Sequence, residues 1–140
     1  MKKNAFYKKL KQYVKDYHPR FFLDDEFLTS RSELAEQTFV SCSAEGMDLQ
    51  HCLEEADVVL YAGLEFSTFL LVEDIIEEQF SNLNFSDRDK FAMQMYLMLQ
   101  PVFDGYSIDD NFERSSEYDN LYNEVVGFIG EYVKKNELTV

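Results

Sequence analysis

The sequence predicts an all-α protein, a compact multihelical bundle of six or seven helices. Three observations carry that prediction. Apolar residues recur at the three- and four-residue steps of a helix face, not in strand-like alternation. Two prolines and five glycines in 140 residues are too few for the turns of a sandwich or barrel. Residues suited to helix starts stand just before several of the apolar stripes.

Phe6, Leu10, Tyr13, Val14 and Tyr17 share one face of a first helix, with Lys8, Lys9, Lys11 and Lys15 mainly off it. Pro19 disfavours helical geometry at His18 and ends that helix. Phe21–Leu23 make an apolar connector, and Asp24 and Asp25 are caps for a second helix reaching about Ala44. Its apolar positions are Phe27, Leu28, Leu34, Ala35, Phe39 and Cys42. After Gly46, Asp48 caps a third helix whose inner face is Leu49, Cys52, Leu53, Ala56, Val59 and Leu60.

The tightest local signal follows at Val58–Ser67. Gly63 suits the left-handed conformation that ends helices, Leu64 and Phe66 plug the corner, and Ser67 caps the next helix. Leu71, Val72, Ile75, Ile76 and Phe80 form the inner stripe of that helix, with Glu73, Asp74, Glu77 and Glu78 pointing outward. Ser81–Asn84 reads as a loop, and Ser86 with Asp89 resembles a capping box. Phe91, Met95, Met98 and Leu99 line another helix, with Pro101 near its end or marking a kink. Asp104–Arg114 is irregular, with room for one short helical turn. A long helix then spans Ser116 to about Asn136, with Leu121, Val125 and Ile129 inside. Gly127 and Gly130 within it suggest close approach of another backbone. The chain reads as one domain, 1–140; a boundary, if present, falls at Ser81–Ser86 and leaves subdomains 1–81 and 86–140 sharing a core.

Charge is distributed unevenly. Residues 1–20 carry seven Lys/Arg and one Asp, whereas the other 120 carry six Lys/Arg against 26 Asp/Glu. A body of net charge −20 repels nucleic acid and anionic membrane and favours basic partners. Two cysteines are too few for a disulfide framework. No apolar run approaches the roughly 20 residues of a membrane span, and the basic start lacks the apolar core of a signal peptide. A cytoplasmic protein without membrane attachment is expected.

Few residues point to chemistry. Asp48, His51 and Glu55 can share a helix face, and Cys42, His51 and Cys52 offer zinc-type donors, but neither spacing matches a known metal pattern. The expectation is therefore buried, apolar-like cysteines, an exposed His51, no metal and no cofactor. Paired carboxylates such as Glu54–Glu55, Glu73–Glu77 and Asp109–Asp110 are common by chance in so acidic a chain. No phosphate loop or nucleophile elbow is present, so no catalytic residue is assigned. Lys11, Lys15, His18 and Arg20 form a possible anion or partner contact, with a plain helix stop as the simpler reading. Arg31, alone on an acidic helix, is expected in an ion pair.

The order of motifs resembles a domain-of-unknown-function family of Bacteroidetes proteins often encoded in or near conjugative transposons. The resemblance rests on Tyr17-His18-Pro19, Asp25, Phe27, Arg31, Ala35 and the Val59–Ser67 corner. It continues through Ile108–Phe112 and Ser116–Tyr122. At the corner this chain has Ala62 and Glu65 where the family pattern carries Arg and His. Gly63, Leu64, Phe66 and Ser67 remain, which are the residues that a turn needs. The resemblance implies no activity.

The functional expectation is a non-enzymatic interaction or accessory factor of a mobile genetic element. It would act on a protein partner through its acidic surface, or on itself as a homo-oligomer. The alternatives are a nucleic-acid-associated protein using the basic first helix, and an acidic DNA mimic.

Overall fold

In the computed structural model, which describes residues 4–83 and 87–136, seven α-helices follow one another, with no strand among the described residues. The helices are α1 (Ala5–Tyr17), α2 (Asp25–Ala44), α3 (Leu49–Leu60), α4 (Thr68–Gln79), α5 (Arg88–Met98), α6 (Gln100–Asp104) and α7 (Glu117–Lys135). Short 3-10 turns occupy Pro19–Phe21 and Phe112–Arg114. By their contacts the residues group into two compact units, Met1–Glu65 and Phe66–Val140. The sequence pattern offered Ser81–Ser86 as the boundary; the division falls instead within the Val58–Ser67 corner.

Local chemistry starts most of these helices. The Asn4 side chain accepts from the Tyr7 amide at 2.8 Å, Asp24 from Phe27 at 3.1 Å and Asp48 from His51 at 2.8 Å. Each satisfies an amide that a helix start leaves free. Ser67 does the same for Leu70 at 3.0 Å. The cap of α5 is Asp87, accepting from Lys90 at 3.1 Å; the anticipated cap Ser86 lies outside the described residues. Pro101 stands just beyond the end of α5 at Met98, as expected, and sits in the first turn of α6, where a missing N–H costs no hydrogen bond.

In the first unit, Leu10 and Val14 of α1, Leu28 and Ala35 of α2, and Ala56 and Leu60 of α3 are fully buried. Ser32 completes the α2 stripe, with its hydroxyl on the Thr29 carbonyl at 3.1 Å. Leu34, expected inside, is 51% exposed. At about 100° per residue, its neighbour Ala35 takes the inward position. Leu49, also expected inside, stands in the first turn of α3 and is 65% exposed.

The second unit has the larger and more aromatic core. Ile75, Ile76, Met95, Leu99, Leu121, Val125 and Ile129 are fully buried, joined by Tyr96, Phe103 and Phe112. Phe112, delivered by a 3-10 turn, meets Phe66 at 5.1 Å between ring centroids and Tyr106 edge-on at 6.1 Å. Met98, expected on the apolar side of α5, is exposed. The close backbone approach expected at Gly127 and Gly130 is also absent. A Cβ at Gly127 would meet nothing within 4 Å, and one at Gly130 would just touch the Phe80 ring.

Candidate functional site

The corner resolves into an ending and a beginning. Gly63 has φ +80°, the left-handed geometry its sequence position predicted. Around it, side chains from other helices converge on backbone carbonyls at and just beyond the end of α3. Arg31 donates to the carbonyls of Ala62 at 2.7 Å, Leu60 at 3.2 Å and Val59 at 3.4 Å. Its guanidinium also lies over the Phe27 ring. Among the described residues these carbonyls, all met by Nη1, take the place of the ion pair expected for Arg31.

The Leu64 carbonyl accepts from the Tyr13 hydroxyl at 3.0 Å and from Nε2 of buried His18 at 2.7 Å. A carbonyl can only accept, so Nε2 carries the proton. Leu64 itself is buried in the first core. On the far side of the corner, half-buried Phe66 packs on Phe112, and buried Ser67 caps α4.

The four residues read as an anion or partner contact are dispersed in role. His18 is engaged in the interior. Lys11 holds its ammonium 5.0 Å above Phe22, and Arg20 lies 4.7 Å above Phe21, both cation–π contacts. Lys15 is exposed. On the same helix, Lys9 pairs with Asp57 at 2.8 Å in a solvent-accessible bridge.

A cluster that sequence spacing alone did not assemble lies where α2 meets α3. Donor atoms of Cys42, His51 and Glu55 all fall within 4.8 Å of one another, and His51 Nε2 contacts Glu55 Oε1 at 3.1 Å. Sequence spacing offered Asp48 or Cys52 as companions for His51. Asp48 is used as the α3 cap, while Cys52 turns inward with its thiol toward the Met47 carbonyl. Both cysteines are buried and free. The Cys42 thiol is pushed up to about 12 by its hydrogen bond to Cys52, by burial, and by the charges of Cys52, Glu55 and Glu45. As a thiol at neutral pH it is a poor nucleophile.

The second unit carries a concentrated negative face. Glu73, Asp74 and Glu77 of α4 line a depression of about 260 Å³ together with Arg88 and Asp89 of α5. The Glu73 carboxyl is pushed up by burial, then by Asp89 and Asp74. That of Asp74 is pushed up by burial, then by Glu78, Glu77 and Glu113. Burial and nearby like charges both disfavour the ionised carboxylate, burial being the larger cause here.

Residues 2–138 match the sequence profile of a family described as a domain of unknown function, DUF1896. The crystal structure of protein PG0816 from Porphyromonas gingivalis is similar, with a TM-score of 0.84 and 30% sequence identity. That likeness covers 96% of this chain and 93% of the other. No curated protein matches the chain. Among the described residues, no helix is long and apolar enough to cross a membrane.

Proposed function

We propose that the chain, which belongs to the DUF1896 family, is a non-enzymatic interaction protein that docks a basic protein segment on the acidic face of α4. The observation that carries this reading is the gathering of Glu73, Asp74, Glu77 and Asp89 around one depression, with Arg88 as its cation and with Glu78 and Glu113 acting on Asp74. A Lys/Arg-rich segment laid on that face relieves the repulsion, and the field steers its approach. The setting, an accessory factor of a mobile genetic element, follows from the resemblance in motif order. The basic first helix supports a nucleic-acid reading less well, because Lys9, Lys11 and Arg20 already engage Asp57, Phe22 and Phe21.

The test is capture of partners from the native host by the tagged chain, with Glu73→Lys/Glu77→Lys as comparison. We expect a basic protein that elutes as salt rises and is lost in the variant, with helicity by circular dichroism unchanged. Recovery of the chain alone, or of a partner indifferent to charge reversal and salt, defeats the reading. A salt-dependent shift of DNA by the wild-type chain would move the assignment to nucleic acid.

A further inference from the structure

We propose that Cys42, His51 and Glu55 form a site for a divalent transition-metal ion, Zn²⁺ first among them, which displaces the Cys42 thiol proton to solvent as the zinc–sulfur bond forms. The three donor atoms already lie within 4.8 Å of one another. Zinc bonds of about 2.0–2.3 Å place tetrahedral ligand atoms roughly 3–4 Å apart. Closing the cluster on an ion therefore takes a movement of about an ångström or less. The His51–Glu55 pair, at 3.1 Å, is already at that spacing.

The scaffold suits the task. His51 and Glu55 stand on successive turns of α3, and Cys42 comes from the last turn of α2. The connection between them is fixed by Gly46 at φ +85° and by the Asp48 cap. Sulfur with imidazole selects zinc-like ions over magnesium and calcium, which prefer all-oxygen sites. An open depression lined by Leu34, Thr38, Glu45 and Glu55 reaches Cys42 and admits the ion. Glu45 adds negative charge beside it. Three protein ligands leave a fourth position for water or a partner's side chain.

The test uses the full chain without an affinity tag, freed of metal and kept reduced by a phosphine. Titration with Zn²⁺ against a chromophoric chelator is expected to show one equivalent bound. Co²⁺ in its place is expected to give a sulfur-to-cobalt charge-transfer band. Cys42→Ser and His51→Gln each weaken Zn²⁺ binding by about 100-fold or more, since even outer-shell changes cost 10–100-fold. Cys52→Ala leaves one equivalent bound. Zinc raises the melting temperature of the wild type but not that of Cys42→Ser. Absence of saturable uptake overturns the proposal. So does uptake that Cys42→Ser and His51→Gln leave unchanged, or that Cys52→Ala abolishes while Glu55→Gln does not. His51 and Glu55 are solvent-accessible, so their variants keep the test valid if Cys42→Ser fails to fold.

Discussion

In the unit formed by residues 1–65, the end of α3 is satisfied from far along the chain. Arg31 reaches carbonyls 28 to 31 residues away, and His18 and Tyr13 reach one 46 and 51 residues away. In the unit formed by residues 66–140, α4 and α5 start on caps three residues from the amides they serve. Its long-range order comes mainly from rings and aliphatic side chains packed around Phe112 and Ile129, beside exposed hydrogen bonds that join Tyr122 to Gln79 and Glu78 and Tyr132 to Gln94. Polar convergence holds the first unit's last turn; apolar convergence holds the second. The two differ in what a single substitution does. Removing a donor in the first strands carbonyls that solvent partly reaches, whereas removing a ring in the second leaves a void.

The largest effect is therefore expected in the second unit. Phe112→Ala should cost about 3–5 kcal/mol in urea denaturation, the usual range for a buried ring. Gly63→Val forces a β-branched residue into positive φ and should cost about 1–3 kcal/mol. A Gly63→Val protein that melted like the wild type but lost partner binding would return the corner to function. Arg31→Met keeps the contact with Phe27 while removing the hydrogen bonds to carbonyls, and should cost about 1–2 kcal/mol. A larger loss than for Phe112→Ala would invert the contrast between the units.

Ser67→Ala removes one local cap and should cost about 1 kcal/mol. Smallest is Glu73→Gln, whose sign is opposite. The Glu73 carboxyl is raised on folding, so the folded chain holds that proton more tightly than the unfolded one. Its contribution to stability accordingly falls as pH rises through the carboxylate range and stays low at pH 7. Glu73→Gln should raise the neutral-pH melting temperature slightly, within the roughly 0.5 kcal/mol of surface changes. The gain should vanish once the wild-type carboxyl is protonated.

These contrasts also explain what was legible in the sequence. Caps such as Asp24, Asp48 and Ser67 act over three residues, so composition and spacing revealed them. The all-α order of six or seven helices followed from the same short-range signals, except that α6 at Gln100–Asp104 was marked only by Pro101. Arg31 was visible as an odd cation, but its partners lie a helix and a turn away, and periodicity carries no information over that separation. His18 was noticed as part of a polar cluster at the end of the basic helix and proved to be an interior donor. The metal-type cluster mixes members of two sets that each looked incomplete. Cys42 joins His51 and Glu55 only because α2 folds back along α3. The acidic face of α4 was legible as outward positions, whereas Asp89 and Glu113 join its field through packing alone.

The Leu64 carbonyl has a consequence for synthesis. Its two donors emerge from the ribosome with the first helix, but the acceptor follows about fifty residues later. Closing that contact pays a loop entropy set by the whole intervening chain. A nascent chain arrested before Leu64 lacks the atom on which Tyr13 and His18 meet. The first unit should thus gain its full protection from proteolysis in one late step rather than helix by helix. Stalled chains long enough to bring Leu64 out of the exit tunnel, compared for protease resistance with shorter ones that keep it inside, would reveal that step.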